Sequence, residues 1–219
     1  MAIVKEIETP EGARRKLQIS STQTLEHIEE FEVATADDVN AAVEVARKAQ
    51  ESWGALPVEK RAAVLKRALA ALLDKQEELM DIVVGETGKA RQEALMMEVW
   101  ASADLMHFYA KNTAKFLKPE KLKLHGLMRF LKKAHVEYKP LGVVGVISPW
   151  NGPFILTVNP TVQALMAGNS VVIKPSEVTP FSGKYVLDIF EAAVLPEGVL
   201  QVVLGDGETG AALTASAVD

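Results

Sequence analysis

Two short apolar runs on either side of a helix-length segment constrain the fold more than any other feature of the sequence. Leu141–Ile147 and Ser170–Ile173 are mainly apolar, as expected for strands that are buried on both faces of a parallel sheet. The segment between them ends at Gly168 and Asn169, which are typical of the end of a helix. A strand, a crossover helix and a parallel strand bring both strand carboxyl ends to one edge of the sheet. The sequence therefore predicts an open α/β fold with a ligand site at that edge.

The loops that follow these two strands carry the polar residues of the predicted site. Two prolines and a glycine in the first loop end the apolar run and leave polar groups at the carboxyl end of the strand. The second loop follows the second strand in the same way. The candidate site residues in the two loops are Ser148, Pro149, Trp150, Asn151, Lys174, Pro175, Ser176 and Glu177.

Three motifs occur in this part of the chain in a distinctive order. They are Ser-Pro-Trp-Asn at 148–151, Ala-Gly-Asn at 167–169 and Lys-Pro-Ser-Glu-Val-Thr-Pro at 174–180. The ordered set resembles the aldehyde dehydrogenase superfamily, and the resemblance extends from about Ala34 to Asp219. It implies a nicotinamide cofactor, NAD or NADP, and the oxidation of an aldehyde to a carboxylic acid. The apolar pattern by itself predicts only a parallel α/β unit with a polar edge.

Asn151 is the predicted catalytic residue. When a thiolate attacks an aldehyde, negative charge develops on the carbonyl oxygen, and a fixed amide NH₂ group directed at that oxygen stabilises the charge. The prolines and the glycine around Asn151 restrict the backbone of its loop. The alternative interpretation is that Asn151 caps the helix that follows.

Lys174 and Glu177 are the predicted cofactor-binding pair. In the family that the chain resembles, the lysine and the glutamate of this motif bind the hydroxyls of the adenine ribose. A carboxylate that accepts from the 2′-hydroxyl favours NAD because it would repel a 2′-phosphate, whereas Lys174 could pair with that phosphate. NAD is the expected cofactor, and NADP stays possible. By analogy, Ser148, Pro149 and Trp150 line the same crevice, and a core position is the alternative for Trp150.

A Gly-x-Gly-x-x-Gly sequence occurs at 205–210, between a third predicted strand, Leu200–Leu204, and a helix. This pattern is the fingerprint of many dinucleotide-binding turns. In the family that the chain resembles, however, this loop only borders the adenosine pocket. Gly207 is therefore a candidate cofactor contact, and a tight turn without a ligand is the alternative.

Two further observations concern the aldehyde. Many members of the family that the chain resembles have an aromatic residue at the position of Gly152. The tunnel for the aldehyde is therefore expected to be wider here or filled by Phe154. Met97, Trp100 and Leu156 could line a tunnel for an apolar substrate, but a core position is the favoured interpretation for each.

The sequence contains no cysteine. Aldehyde dehydrogenases attack the aldehyde with a cysteine thiolate, whose chemistry no other residue type supplies. Family members are considerably longer, and their nucleophile, general-base glutamate and glycine-rich cofactor loop come later in the sequence. We therefore interpret the chain as the amino-terminal part of such an enzyme and predict that it is inactive alone. The alternative is a natural short protein, a non-catalytic cofactor-binding or oligomer-assembly module.

Composition excludes some partners. The formal net charge of −5 argues against nucleic-acid binding, which needs a basic surface. No apolar run reaches the roughly 20 residues of a membrane helix, and the first residues lack the apolar core of a signal peptide, so the cytoplasm is the expected location. The four histidines share no metal-ligand spacing, so no metal site is predicted.

Three amphipathic helices are predicted ahead of residue 118. Thr35 is predicted to cap the first, with Asp38 as its capping-box partner. The second is predicted over Val58–Val84 and the third over about Ala90–Phe116. The residues of the third helix that are predicted to face inward are Ala94, Met97, Ala101, Leu105 and Phe108.

The segment 119–139 is basic and alternates in part between polar and apolar residues. Lys121–Leu124 and His135–Tyr138 alternate with period two, which predicts an antiparallel hairpin with cations on its exposed edges. The resemblance implies that this hairpin is an oligomerisation arm, so a homo-oligomer, either a dimer or a tetramer, is expected. An amphipathic basic helix on an anionic membrane is the less favoured alternative, and no membrane partner is predicted.

The predicted fold class is α/β, with an amino-terminal helical segment, an antiparallel oligomerisation hairpin and the first part of a Rossmann-like parallel sheet. Two short strands, Lys16–Ile19 and His27–Val33, with a turn at 20–22, are predicted at the start of the chain. The predicted parts are an amino-terminal helical part of the cofactor-binding domain, the hairpin and an incomplete Rossmann-like part, at 1–118, 119–139 and 140–219.

Overall fold

A computed structural model describes residues 3–10, 12–21 and 23–219. The α/β class predicted from the sequence is confirmed. In chain order the elements are β1 (Ile3–Ile7), β2 (Lys16–Ser20), β3 (His27–Glu32), α1 (Ala36–Gly54), α2 (Val58–Asp74), α3 (Gln76–Thr87), α4 (Arg91–Ala94), a π-helical segment (Leu95–Trp100), α5 (Ala101–Phe116), β4 (Glu120–Leu122), α6 (Met128–Leu131), β5 (Ala134–Val136), β6 (Val143–Ile147), α7 (Ile155–Ala167), β7 (Ser170–Lys174), α8 (Pro180–Ala192), β8 (Leu200–Val202) and α9 (Gly207–Ala215).

A parallel sheet with the strand order β6-β7-β8 organises the fold. All five residues of the central strand β7 are buried, because helices cover both faces of the sheet. Val171 and Ile173 belong to the core shared with α7 and α8, whereas Val172 belongs to the core shared with α1 and α9. The predicted sequence of strand, crossover helix and parallel strand is confirmed, although β8 ends two residues earlier than the predicted strand.

Helix α1 starts with the predicted capping box. The Thr35 hydroxyl accepts from the Asp38 amide at 3.3 Å, and the Asp38 carboxylate accepts from the Thr35 amide at 2.9 Å. At the other end of the helix, Trp53 is buried, and its indole N–H donates to the Leu165 carbonyl at 3.0 Å. This bond ties α1 to α7.

The second and third predicted helices are both interrupted. At Lys75 the backbone leaves the helical conformation, with φ −101° and ψ 18°, so that α2 and α3 are separate helices. The third predicted helix starts as α4, passes through the π-helical segment and continues as α5. Apolar spacing does not predict these changes, because Leu79 and Val83 stay on the buried face after the break.

The predicted burial of several large apolar side chains is wrong. The exposed fractions are 58% for Met97, 61% for Trp100, 47% for Phe108 and 38% for Leu156. The π-helical segment adds a residue to the helical turn and changes which side chains face inward. Glu98 and Val99 are the residues that it buries, at 0% and 1% exposed. Met97 and Trp100 therefore lie on the surface of this segment and not in the core.

A second sheet lies beside the loop after β7. It contains β1, β2 and β3 in that order, all antiparallel. The two predicted strands correspond to β2 and β3, whereas the sequence pattern does not reveal β1. Leu17, Ile19 and Phe31 pack with Phe181, close to the start of α8. The predicted turn at 20–22 includes Thr22, which lies outside the described residues.

The predicted antiparallel pairing of the hairpin is confirmed. Strand β4 pairs antiparallel with β5, and the short helix α6 lies between them. The hairpin is largely exposed, and Leu127 and Phe130 at its tip are 73% and 72% exposed. Within the described ranges, no helix is long and apolar enough to cross a membrane.

Candidate functional site

The loops after β6 and β7 lie side by side at one edge of the parallel sheet. The amide of Ser148, directly after β6, donates to the carbonyl of Lys174, the last residue of β7, at 3.2 Å. This bond continues the strand pairing in which Ile147 lies opposite Lys174. The two groups of predicted site residues therefore meet at the carboxyl ends of the strands, where open α/β sheets bind ligands.

Asn151 is exposed in the first loop. Its side-chain amide has no hydrogen-bond partner in the part of the chain that the structure describes. Phe154, not Asn151, occupies the N-cap position of α7, and its side chain makes no hydrogen bond to the helix. The alternative interpretation of Asn151 as a helix cap is therefore wrong.

A buried glutamate on another element accepts hydrogen bonds from the backbone amides at the start of α7. Glu98, in the π-helical segment, is fully buried, and its Oε2 accepts from the amides of Phe154 at 3.2 Å and Ile155 at 2.9 Å. Its Oε1 accepts from Lys89 Nζ at 2.5 Å. The same Lys89 Nζ donates to the backbone carbonyl of Asn151 at 2.8 Å. The loop that carries Asn151 is thus held at Asn151 by Lys89 and at its junction with α7 by Glu98.

The other residues of the first loop differ in exposure. Ser148 is buried, and its Oγ lies 2.7 Å from Thr157 Oγ1, which also bonds to the carbonyl of Pro153 at 2.5 Å. Pro149 is exposed, and Trp150 is 49% exposed, so the core alternative for Trp150 is wrong. Ser148 thus connects the loop to α7 on its buried side, while Pro149 and Trp150 lie on its surface.

Lys174 and Glu177 form an ion pair at the start of the second loop. Lys174 Nζ donates to Glu177 Oε2 at 3.1 Å, and the two side chains are 5% and 36% exposed. The lysine stem passes α9 at Gly210, where a Cβ atom would lie 3.9 Å from Lys174 Cδ. The pair therefore combines a buried ammonium donor with a carboxylate that solvent can reach.

Pro175 and Ser176 shape the rest of this loop. Ser176 Oγ accepts from the Val178 amide at 3.3 Å, which turns the chain toward α8. Pro175 packs so closely on Gly183 of α8 that a Cβ atom on Gly183 would lie 2.4 Å from Pro175 Cβ. Real Cβ atoms do not approach one another so closely, so glycine permits this contact.

A second buried glutamate satisfies the start of α8. The carboxylate of Glu86, near the end of α3, accepts from the amides of Phe181 at 2.9 Å and Ser182 at 2.8 Å and from the Ser182 hydroxyl at 2.5 Å. Burial raises the pKa of Glu86 to about 7, although these hydrogen bonds lower it. The short segment 86–89 therefore contacts the first loop through Lys89 and the start of α8 through Glu86.

A small cavity lies between the two loops. Its volume is about 70 Å³, and it is lined by Thr87, Lys89, Trp150, Asn151 and Thr179. Thr179 belongs to the Lys-Pro-Ser-Glu-Val-Thr-Pro motif, and its hydroxyl is buried without a partner among the described residues. The cavity thus brings the Asn151 loop, the segment 86–89 and the end of the second loop around one small polar space.

The glycine-rich turn at 205–210 lies at the same edge of the sheet, after β8. The Asp206 carboxylate caps α9 by accepting from the Glu208 amide at 3.0 Å, and it pairs with Arg15 at 2.9 Å. Because a negative charge already occupies the start of α9, a pyrophosphate is disfavoured there. Gly207 is exposed, and a Cβ atom on it would contact nothing within 4 Å. The space beside Gly207 is therefore open to a ligand.

The sequence prediction missed Glu86, Lys89 and Glu98. The segment 86–89 falls between the second and third predicted helices, and Glu98 lies within the third without an assigned role. One signal could have found Glu98, which follows the predicted inward residue Ala94 by four positions. A carboxylate on the buried stripe of a helix needs a charged or hydrogen-bonding partner.

These features define an α/β protein whose polar loops meet at the carboxyl edge of its parallel sheet. The profile of the Aldehyde dehydrogenase family matches residues 9–218. The chain belongs to the aldehyde dehydrogenase family, which confirms the resemblance found in the three motifs.

Two curated relatives illustrate the range of the family. The chain is 40% identical to a 4,4′-diapolycopene aldehyde oxidase of Methylomonas sp over 167 residues, which cover 76% of the chain and 32% of that protein. It is 37% identical to a putative NADP(+) succinate-semialdehyde dehydrogenase 2 of Mycobacterium ulcerans over 209 residues, which cover 94% of the chain and 39% of that protein. The chain spans well under half of the length of either relative.

Solved structures show the same fold. An aldehyde dehydrogenase of Mycobacterium tuberculosis in complex with NAD+ matches 95% of the chain and 42% of that protein, with a TM-score of 0.86 and 32% identity. An NAD-dependent benzaldehyde dehydrogenase of Corynebacterium glutamicum matches 94% of the chain and 45% of that protein, with a TM-score of 0.87 and 32% identity. The predicted fold is therefore confirmed against experimental structures.

Proposed function

We propose that the chain forms the oxyanion-binding and ribose-binding part of an NAD(P)-dependent aldehyde dehydrogenase, which oxidises an aldehyde to a carboxylic acid. The observation that carries this proposal is the bond between Ser148 and Lys174, because it brings the Asn151 loop beside the Lys174–Glu177 pair. Related proteins with NAD, NADP and aldehydes in their names support the cofactor and the substrate class.

Asn151 is the residue that we assign to the reacting carbonyl group. Its side-chain amide is exposed and lacks a partner among the described residues, while its backbone carbonyl is held by Lys89. An NH₂ donor on a fixed backbone stabilises the charge that develops on an aldehyde oxygen, because the donor does not have to reorganise during the reaction. Asn151 is therefore the proposed oxyanion donor.

Lys174 and Glu177 are the residues that we assign to the adenine ribose. An ammonium donor and a carboxylate acceptor 3.1 Å apart fit a pair of neighbouring sugar hydroxyls. Ser148, Pro149, Trp150, Pro175, Ser176 and Gly207 border this crevice in the proposal. When bound, the nicotinamide cofactor supplies the hydride acceptor. The residues of this chain bind it, orient it and stabilise charge on the substrate.

The half-buried carboxylate of Glu177, which solvent can reach, favours NAD+ over NADP+, because it would repel a 2′-phosphate. Glu177→Gln is expected to weaken NAD+ binding about tenfold, since a hydrogen bond to a charged acceptor is replaced by one to a neutral acceptor. The same substitution is expected to reduce the difference between the affinity of the chain for NAD+ and its affinity for NADP+. Calorimetric titration of both cofactors into the wild type and the variant measures the two effects.

Glu191→Gln is the matched control, because Glu191 is an exposed glutamate near the end of α8 that lies outside both site loops. Its NAD+ affinity should equal that of the wild type. Equal NAD+ affinity in the wild type and in Glu177→Gln would contradict the proposed role of Glu177.

We also propose that this chain alone does not turn over, because its sequence contains no cysteine to act as the nucleophile. The pure 219-residue chain, supplied with NAD+ and a panel of aldehydes, is expected to form no reduced cofactor. Absorbance or fluorescence of the reduced nicotinamide measures this. A steady rate that depends on both aldehyde and protein concentration would overturn the proposal.

The hairpin at 119–139 is proposed to act as an oligomerisation arm in a dimer or tetramer. Strands β4 and β5 pair with each other, and β4 is exposed along its whole length. No described residue of 119–139 belongs to a buried apolar cluster, whereas those clusters join 1–118 and 140–219 in shared cores. This distribution supports the hairpin as a separate unit. The cytoplasm stays the predicted location.

A further inference from the structure

Glu98 lies at an unusual place for a carboxylate. It is fully buried within the π-helical segment, a rare helix type that occurs often at functional sites. Burial of an ionised carboxylate is costly unless charges and hydrogen bonds compensate it. Here Lys89 supplies the opposite charge, and the amides of Phe154 and Ile155 supply two hydrogen bonds.

The two amides identify what Glu98 does in the fold. The first amides of an α-helix have no partner within the helix and need an external acceptor. Glu98 provides this acceptor for α7, which starts at Ile155, four residues after Asn151. The negative charge of the carboxylate also suits the positive end of the helix dipole.

Lys89 connects the same charge pair to Asn151 itself. Its Nζ bonds both to Glu98 and to the carbonyl of Asn151, and its side chain is only 15% exposed. The backbone from Asn151 to Ile155 is therefore attached at its first residue through Lys89 and at its last two through Glu98. These bonds leave the Asn151 side chain untouched and fix the peptide from which it projects.

We propose that Lys89 and Glu98 are positioning residues that set the orientation of Asn151 through its backbone. The inference rests on the role proposed above for Asn151. Neither residue is expected to react with the substrate. Their function is to hold the oxyanion donor rigid before the substrate arrives, which is the condition under which such a donor is most effective.

Nuclear magnetic resonance on the isotope-labelled chain tests this proposal. In the wild type, the backbone amides of Asn151 and Gly152 should have order parameters of about 0.85, the value of a rigid backbone. In Lys89→Met they should fall toward about 0.6, because the bond to the Asn151 carbonyl is lost. Lys89→Arg keeps a cation at this position and should restore part of the lost order.

Amide exchange gives a second measurement that bears on Glu98. In Glu98→Gln, the amides of Phe154 and Ile155 should exchange about tenfold faster, because a charged acceptor is replaced by a neutral one. The Val158 amide bonds within α7 to the Phe154 carbonyl and should keep its protection. Faster exchange across the whole of α7 and the core would indicate general destabilisation and would contradict a positioning role.

Arg91→Met is the matched control. Arg91 follows Lys89 by two residues and forms ion pairs with Glu77 and Asp81. It does not contact the Asn151 loop. It should leave the Asn151 and Gly152 order parameters unchanged. Loss of order in Arg91→Met equal to that in Lys89→Met, or unchanged order in Lys89→Met, would overturn the inference.

Cofactor binding separates this inference from the proposed function. Lys89 and Glu98 do not contact Lys174 or Glu177, so NAD+ affinity should be the same in Lys89→Met, Glu98→Gln and the wild type. If the wild type does not bind NAD+ while the loop still responds to Lys89→Met, the proposed function fails and the positioning geometry stands. If NAD+ binds and the loop does not respond, the positioning inference alone fails.

Discussion

The free energy of unfolding of the wild-type chain is expected to fall by about 3 kcal/mol, relative to that of Glu86→Gln, as the pH rises from about 4.5 to about 8. Burial raises the pKa of Glu86 from 4.5 to about 7. Between these values the folded chain holds a proton that the unfolded chain has lost. Stability due to this group is therefore complete below pH 4.5 and is lost as the pH rises through 7.

Urea unfolding of the two proteins at both ends of this range measures the change. Glutamine is neutral throughout, so the variant lacks this contribution while other groups titrate equally in both proteins. Glu93→Gln, which replaces an exposed glutamate, is the control and should show no such pH-dependent difference from the wild type. A difference between wild type and Glu86→Gln that is the same at both pH values would disprove the role of burial at Glu86.

Gly183→Ala is expected to lower the free energy of unfolding by about 3 kcal/mol, the upper part of the range for overpacked core substitutions. The new Cβ atom would lie 2.4 Å from Pro175 Cβ and 3.5 Å from Thr157 Oγ1. A proline ring cannot rotate away, so α8 or the second loop has to move. Because Pro175 follows Lys174 directly, the same movement is expected to displace the proposed ribose-binding pair.

The helical position makes this prediction specific. Alanine in a helix is intrinsically favoured over glycine by about 1 kcal/mol, so without the clash the substitution would stabilise the chain. Gly207→Ala is the matched control, since Gly207 also lies in the first turn of a helix but has open space around its missing Cβ atom. Chemical denaturation of both variants compares them. If Gly183→Ala were as stable as Gly207→Ala, the chain would accommodate the new contact with Pro175 without a loss of stability, and the prediction would be wrong.

The sequence predicts the central part of this fold because its signals are local. Apolar runs of strand length, a glycine at a left-handed helix end and prolines in the loops each specify structure within a few residues. Gly168, for example, has φ 96° and ends α7 as expected. The loops that carry Asn151 and Lys174 follow directly from strand ends, so their proximity could be predicted without a tertiary contact.

The support beneath these loops could not be predicted in the same way. Glu86 lies 95 residues before Phe181 and Glu98 lies 56 residues before Phe154. Each glutamate satisfies the first amides of a helix that follows a site loop, in the place of a cap residue from that loop. Helix starts without a local cap, such as those of α7 and α8, need a distant acceptor. The sequence around each helix start does not identify which residue that acceptor is.

Exposure is the other property that apolar spacing predicts poorly here. Met97 falls on the predicted inward stripe and a core position is predicted for Trp100, but the π-helical segment turns Glu98 inward in their place. The bonds that Glu98 makes to Lys89 and to the start of α7 stabilise the irregular backbone of this segment. A pattern that counts only apolar residues cannot detect this, because the residue that determines the packing is charged.

A crystal structure of the chain with NAD+ tests the central claim most directly, namely that the edge formed by β6 and β7 is a cofactor site. We expect the adenine ribose hydroxyls to lie within hydrogen-bond distance of Lys174 Nζ and the Glu177 carboxylate, with Asn151 free to face a substrate. A cofactor bound elsewhere, for example with its pyrophosphate at the start of α9, would contradict the assignment of this edge.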